Sequence, residues 1–544
     1  MKSIHVPVLI IGGGLTGLTS ALFLSRHKVE YLLIERHPTT AIHPKAGGIT
    51  FRTMELFREL GLEKKIRAAG RVLENCRGRV SVNTIAEADY EELKRVKMVQ
   101  DENDKSLFEL IQKISPSKPT SCYQITLEPM LLKEAKQLGG KLWFHHELVS
   151  YKQDELGVIA IVRNCETKEE QIIYSKYMIA ADGAKSSIRK HSGISTDGRG
   201  TIGGHYINIH FKADLSDFIK GDVFAFTMIT NPEVFGALIP VNNKDCWIYH
   251  VAYNPLKGET PEDFSVEYCQ QIVRKAIGKS NLKVEILSIS PWEATESTAI
   301  RFQDNRVFLV GDAAHLMPPT GGFGSNTGVQ DAHNLAWKLA AVIHGQANPK
   351  LLETYHVERR PVVQLTTDYA SSILLRAANR EEANLNTTDS LAVTVGYKYS
   401  SAAVIDQDEN PHRMDILELK GRPGTRAPHM WGTYQGKRIS ILDLLGRNFV
   451  LFTGSEHDFW SKAASTVASH LGISIEVYQV SQKGDFIDQD NTFVTLYGIK
   501  PEGAVLVRPD GFIGWRTKEA TFTSDIVLEE VLNCILCNTS LNTK

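Results

Sequence analysis

Three textures of apolar residues alternate along this chain. Short unbroken runs, Val6 to Ile11 and Tyr31 to Ile34, read as buried parallel strands, and Leu18 to Arg26 between them carries helical spacing. Two further short runs, Tyr177 to Ala180 and Val307 to Val310, each deliver a strand into a glycine or aspartate turn. A different texture fills the middle of the chain. Tyr206 to Phe211, Val223 to Thr230, Phe235 to Pro240 and Cys246 to Tyr253 alternate and are rich in aromatics, as antiparallel strands are. Helical spacing through Tyr355 predicts a helix ending near Pro361 and a second from Val362 to about Arg376. Asn379 to Glu409 is polar and reads as a linker or loop region. From Gly421 a compact αβ pattern returns: strand Phe449 to Thr453, helix Phe459 to Leu471, strand Ser474 to Val480, strands Ala504 to Arg508 and Phe512 to Arg516 around Pro509-Asp510-Gly511, and a helix from about Ser524.

The runs that read as parallel strands end in chemistry. Gly12-Gly13-Gly14-Leu15-Thr16-Gly17 follows the first strand at once: Gly12 allows the tight turn, Gly14 lets backbone approach a pyrophosphate, and Gly17 permits close helix packing. Glu35 closes this βαβ unit where a carboxylate accepts from ribose hydroxyls, which disfavours a 2′-phosphate there. Arg306 to Lys338 holds Gly311-Asp312, a proline pair and a crowd of glycines before a helix expected to start near Gly328. Such a loop lets N–H groups and a positive helix end reach a ligand closely. Tyr177 to Arg189 supplies a third turn, Asp182-Gly183, with Ser186 and Arg189 at a helix start. Three such turns in distant segments imply one parallel sheet assembled discontinuously around one ligand.

Composition narrows the reading. A chain of 544 residues, 42% hydrophobic, buries large cores and forms two to four domains. Its formal net charge of -2, without long blocks of one sign, argues against nucleic acid or an anionic membrane as partner. No uninterrupted apolar run reaches a membrane span, and the glycine triad interrupts the one stretch that resembles a signal peptide. Seven scattered cysteines suit a reducing cytoplasm rather than a disulfide framework. Cys534-Ile535-Leu536-Cys537 stands alone, so it reads as apolar cysteines on a terminal helix, and no metal site is expected.

Taken together the motifs resemble the class A flavin-dependent aromatic hydroxylases of the p-hydroxybenzoate hydroxylase type. The resemblance rests on GGGLTG at Gly12 to Gly17, Glu35-Arg36, KAGGITFRTMELF from Lys45 to Phe57, Gln124 to Glu128, DGAKSSIR from Asp182 to Arg189, the Arg306 to Lys338 segment, YHVERRPVV from Tyr355 and GTRAPH from Gly424. ALFLSRHKVEYLLIERHPTTAIHPKAGG looks most like tetracenomycin-type polyketide hydroxylases. The resemblance implies an α/β and α+β fold: a glutathione-reductase-like FAD-binding domain (residues 1–75, 111–190 and 291–378), an inserted mixed β-sheet substrate domain (76–110 and 191–290), a linker (379–420), and a thioredoxin-like C-terminal domain (421–544). That last domain lacks dithiol cysteines, so it implies a scaffold for packing or oligomerisation, a homodimer included.

By the same resemblance, Gly12, Gly14, Leu15, Thr16 and Gly17 hold the FAD pyrophosphate, Glu35 with Arg36 the adenosine ribose, and Gln124 the ribityl region. Asp312 binds ribityl hydroxyls, with Pro319, Gly322, Gly324, Ser325 and Asn326 beside the flavin ring. Lys45 stands where many relatives carry arginine, and Ser325 where many carry methionine. Arg52 is implied near FAD, against the plainer reading of an exposed arginine opening a helix. Asp182 supports fold and cofactor, and His315 and Asp331 read as structural residues beside the loop. The implied reaction uses NAD(P)H as co-substrate and O2 to hydroxylate a small aromatic, phenolic or polyketide-type molecule through a C4a-hydroperoxyflavin, with no metal. Phe224, Phe226, Met228 and Phe235 are candidate pocket liners, and His250 is a candidate base without a second signal. Two other readings stay open: a flavin-dependent reductase or dehydrogenase of an unsaturated metabolite, and a non-catalytic FAD-binding redox regulator.

Overall fold

The computed structural model describes residues 3–76, 78–219, 224–378, 387–406, 420–454, 459–520 and 523–539. Val223, Ser455 and Glu456, expected at strand ends, lie outside them, as do 379–386 and 407–419 of the expected linker. Three large sheets organise the chain. The first contains β1 (Ser3–Ile11), followed by α1 (Leu15–Arg26) and β2 (Tyr31–Glu35). Its order runs from Gln303–Asp304 through Val307–Leu309, Glu170–Ala180, β1 and β2 to Lys141–Phe144. All neighbours from Val307–Leu309 onward are parallel, so Leu9 faces both Leu32 and Met178 across the ladder. From Val8 to Ile11 β1 is buried on both faces, which is why that stretch is an unbroken apolar run rather than an alternation.

The second sheet is antiparallel over most of its width. Thr196–Lys212 lies between Glu285–Ala299 and Cys246–Tyr253, and Gly236–Pro240 and Phe226–Ile229 extend it toward Arg79–Val82. One face, carrying Ile207, Ile209, Phe211, Trp247 and Tyr249, packs on the amphipathic helix Val266–Ile277. The third sheet spans Trp431 to Thr517, with Phe449–Thr453 in its interior, parallel to Ile475–Ser481 and antiparallel to Ala504–Val507.

Helix Phe323–Ile343 joins the first and third bodies. Glycines keep its first turns close to α1: a Cβ on Gly328 would sit 2.5 Å from Thr16 Oγ1. It begins five residues before the expected start, because Gly322 at φ 66° ends the loop and releases the chain into the helix at Phe323. Glu353–Ala378 is likewise one helix, not two broken at Pro361. An interior proline costs about 3 kcal/mol, and here the flanking residues are anchored: Glu358 and Arg359 are fully buried in ion pairs, and Val362 and Val363 are core. The stretch read as a linker is also structured over its described part. Thr387–Val395 is a helix burying Leu391 and Val395, and Tyr397 and Tyr399 donate to Gln330 (2.8 Å) and receive Arg359 (3.1 Å), respectively.

Where these pieces meet lies a buried charge cluster. Glu358 accepts from Arg508 at 2.6 and 2.9 Å, from Lys338 at 2.7 Å, from Asn334 at 2.8 Å and from Ser401 at 2.6 Å. Asp510, in the turn of the third sheet, pairs with Arg508 and accepts from Asn334 at 3.3 Å. Arg508 and Lys338 together hold the Glu358 carboxyl far below the usual range, while burial and Arg508 pull Lys338 down to about 8, still protonated at neutral pH. Removing one member strands its partners in low dielectric. Glu358→Gln is therefore expected to cost about 3 kcal/mol, read as a lower midpoint in chemical unfolding, while Lys94→Gln, on an exposed helix pair, leaves the midpoint unchanged.

Candidate functional site

The carboxyl ends of the parallel strands converge on one crevice. β1 runs into Gly12, whose φ of 110° and 2.1 Å clearance between a built Cβ and the Ala181 carbonyl admit only glycine. Gly17 is equally constrained, its built Cβ falling 1.9 Å from the Gly12 carbonyl. Gly14 differs, since a Cβ there meets only Glu128 Oε1 at 3.8 Å and would project into the crevice. It caps α1 without any side-chain hydrogen bond, and no acid stands in the first turn. The helix Phe323–Ile343 starts the same way: Gly322 gives no side-chain cap, and a Cβ on Gly322 meets nothing while one on Gly324 meets only Met317 at 3.6 Å. Two helices thus present uncapped N–H groups and positive ends to one open cradle.

Carboxylates line the same cradle. Glu35 accepts from Gly13 N–H at 2.6 Å and from His37 N–H at 2.8 Å, which fixes its position at the end of β2 beside exposed Arg36. Asp312 is open to solvent yet sits deep among protein atoms, and no described residue donates to it. Enclosure raises its pKa, with His315 and Lys45 opposing. Arg189 braces this turn by donating to the Ala313 carbonyl at 2.8 Å, and Asp331 holds it from below, accepting from Gly311 N–H at 3.1 Å and His315 Nε2 at 2.7 Å. Arg359 completes the support at 2.8 Å from Asp331.

The remaining expected site residues divide. Lys45 is exposed and acts electrostatically on both Asp312 and Glu128, so it stands between the two ends of the crevice. Gln124 opens helix Gln124–Gln137, and its backbone pairs with Ala46 at 3.1 Å. Exposed Pro319 and partly exposed Ser325 flank the loop. Asn326 is a strut: it donates to the carbonyls of Gly48 (3.0 Å) and Gly322 (2.7 Å) and accepts from Thr50 N–H (3.0 Å). Asp182 accepts from Ser186 at 2.6 Å and Ile188 N–H at 3.2 Å, anchoring the helix Ser187–His191. Arg52 is not the exposed arginine of the plainer reading: it is buried against Glu55 at 2.8 Å and lies over the Phe512 ring.

The second sheet turns its other face to this body. Tyr206, Asn208 and His210 share that face with His250 and Ser290, Asn208 standing between the last two in register. Met228 and Phe226 follow on the same alternation. Phe224 does not: it lies with Leu238 and Trp247, residues of the face packed on Val266–Ile277, in a small apolar pocket. Phe235 is 53% exposed beside Gly236–Pro240. His250 lies edge-on to Trp292, which stacks on Tyr206. Burial pushes His250 down to about 4. His43, which sequence reasoning passed over, reaches across from the first body: its Nδ1 lies 2.6 Å from Ser288 Oγ. Glu128, named in the Gln124 to Glu128 segment without a role, is buried beside Gly14 and accepts from Ala41 N–H at 2.9 Å.

A parallel sheet whose strand ends gather glycines, two uncapped helix ends and the unbonded Asp312 carboxylate defines a dinucleotide-binding protein. Comparison with known proteins specifies which. Residues 5–370 match the FAD binding domain family, and residues 420–538 match the aromatic-ring hydroxylase C-terminal family. The chain is 38% identical to the tetracenomycin A2 monooxygenase-dioxygenase of Streptomyces glaucescens over 99% of its own length and 98% of that protein's. It is 36% identical to a 4-methyl-5-nitrocatechol 5-monooxygenase of a Burkholderia species, with 98% of each covered. Its fold superposes on a ternary complex of aklavinone-11 hydroxylase with FAD and aklavinone with a TM-score of 0.87, at 32% identity, covering 99% and 100% of the two chains. This chain belongs to the FAD-dependent aromatic-ring hydroxylases. Its cofactor is FAD, and it is a flavoprotein monooxygenase.

The uncapped helix ends, open glycines and unbonded Asp312 carboxylate fit such a cofactor. Asp312→Ala is expected to weaken FAD binding by about 2 kcal/mol, a roughly 30-fold rise in Kd. Flavin absorbance per protein after gel filtration checks this, and full retention would remove Asp312 from the site.

Proposed function

We propose that this enzyme hydroxylates a polycyclic, hydroxyl-bearing aromatic of polyketide type, lodged between the flavin loop and the face of the second sheet that carries Asn208 and His250. The observation that carries this reading is that face itself: Tyr206, Trp292 and His250 form an aromatic wall, with buried polar groups set in it, where it meets the first body. Relatives named for tetracenomycin A2 and for aklavinone support it.

Bound FAD supplies hydride acceptance from NAD(P)H and activation of O2 for transfer of one oxygen atom to the ring. The protein holds, orients and encloses. Gly12, Gly14, Leu15, Thr16 and Gly17 present α1 to the pyrophosphate, with Lys45 as a counter-charge, and Glu35 and Arg36 flank the adenosine ribose. Gln124 and Asp312 take the ribityl region. The helix end at Gly322, Gly324 and Ser325 favours negative charge on the reduced ring. Asn326 and Asp182 act on the cofactor through the loops they tie down. Phe226 and Met228 border the substrate space. His250, neutral down to about pH 4, is mismatched as a base for a phenol near neutrality and acts by orienting the substrate.

We also infer a glutathione-reductase-like arrangement for the FAD-binding body and a thioredoxin-like third body serving as scaffold or homodimer surface. The cytoplasm is the compartment that suits seven cysteines joined by no disulfide. Among the described residues no helix is long and apolar enough to cross a membrane.

A panel of hydroxylated anthraquinones, quinolones and simple phenols tests the substrate class. Anthraquinone-type compounds are expected to stimulate NAD(P)H oxidation and to gain one oxygen from labelled O2. Peroxide as the only product from every compound would contradict the reading. A product gaining two hydrogens without O2 consumption would favour the reductase alternative.

A further inference from the structure

We propose that Glu128 takes up a proton when FAD binds, so that a neutral carboxyl group rather than a carboxylate stands beside the diphosphate. This rests on the reading that Gly14 and the start of α1 receive the diphosphate, and it adds a buried acid that the cofactor's charge neutralises. Glu128 lies in the second turn of helix Gln124–Gln137 and is 2% exposed. Its two oxygens have different surroundings. Oε2 accepts from Ala41 N–H at 2.9 Å, which ties down the loop after β2. Oε1 is what a Cβ built on Gly14 meets, at 3.8 Å, so this oxygen borders the open side of Gly14. The chain keeps its backbone bare for an anion at Gly14 and yet sets a carboxyl oxygen at the edge of the same space.

Charge decides what that oxygen becomes once the site is filled. In the free protein burial raises the Glu128 pKa above its usual value; the N–H groups of Ala41 and Leu15 and the charge of Lys45 work against burial, and Glu35 adds to it. Lys45 serves both Glu128 and Asp312 before any ligand enters. A dianionic diphosphate at the start of α1 adds like charge beside a group already short of water, which favours the protonated form further. Protonation keeps what the fold needs. The carbonyl oxygen stays on Ala41 N–H, and the proton sits on Oε1, where it turns a repelling oxygen into a hydrogen-bond donor for the anion. The linkage has one sign. Because FAD raises the Glu128 pKa, affinity is full below the pKa of the free protein, falls by up to about tenfold per pH unit above it, and levels off past the pKa of the complex.

The test is calorimetric titration of FAD into the deflavinated full-length enzyme, in phosphate and in Tris, whose different ionisation heats report the protons exchanged. At about pH 7 wild type is expected to take up more than about half a proton per FAD, with Kd rising toward higher pH. Glu128→Gln keeps the acceptor for Ala41 N–H and is expected to lose the uptake and to hold its Kd within about twofold across the same range. Asp312→Asn, at the other enclosed carboxyl, is expected to keep the uptake. In wild type grown on isotopically labelled glutamate, infrared difference spectra are expected to gain a protonated-carboxyl band on FAD binding, a readout that needs no variant. No uptake in wild type, uptake undiminished in Glu128→Gln or lost in Asp312→Asn, or a Glu128→Gln affinity more than about tenfold weaker than wild type overturns the proposal. Gly14→Val tests the diphosphate placement by itself and is expected to lose FAD. Retained binding there contradicts that placement, whereas lost binding without proton uptake by wild type contradicts the role of Glu128 alone.

Discussion

Charge buried without water must be balanced on the spot, and the middle of this protein is arranged around that constraint. Three carboxylates, Asp331, Glu358 and Asp510, meet three cations, Lys338, Arg359 and Arg508, all at most 1% exposed. They come from two helices and from the turn between two strands of the third sheet. None can be relocated singly, because each removal leaves an unpaired charge whose desolvation is not recovered. The three parts of the chain are therefore locked in one relative position. Tyr399 extends the lock by receiving Arg359, so the described segment between helix Glu353–Ala378 and the third body is part of the core rather than a tether.

This lock sets the geometry of the site at one remove. Helix Phe323–Ile343 carries Asp331, Asn334 and Lys338 along one face, and the same helix begins at the flavin loop. Asp331 also reaches forward to Gly311 and His315, so the turn bearing Asp312 is tied to the charge cluster. A rigid helix body permits an open beginning: the uncapped N-terminus costs little when the rest of the helix is fixed by packing. Rigidity on one side and unsatisfied donors on the other make a preorganised receptor for an anionic, electron-accepting cofactor.

How much of this was legible in the sequence depended on whether the cause was local. The βαβ unit was, since unbroken apolar strands, Gly12, Gly17 and Glu35 state their own geometry. The discontinuous parallel sheet was also legible, through turns of one kind repeated at Asp182 and Asp312. Pro361 misled because its local penalty is overridden by ion pairs with partners some 150 residues away, such as Arg508. The polar stretch after Asn379 misled for the same reason, its tyrosines being drawn into a core that composition cannot see. Arg52 has the look of an exposed arginine at a helix start, yet Glu55, one turn on, holds it buried. Asn208 and His210 alternate with Ile207, Ile209 and Phe211, which reads as a sheet with one wet face. In the fold the first body covers that face, so polar residues that look solvated are buried and chemically available.

The claim that the charge lock shapes the flavin site is tested most directly by the FAD dissociation constant of Asp331→Asn, measured where thermal melts show the variant fully folded. The substitution keeps the side-chain volume and one acceptor but removes the charge that holds Arg359, Gly311 and His315 together. The account predicts binding weaker by about tenfold, although Asp331 is fully buried beneath the cradle. A folded variant with wild-type affinity for FAD would show that the Asp312 turn keeps its shape without the lock, and would contradict the account.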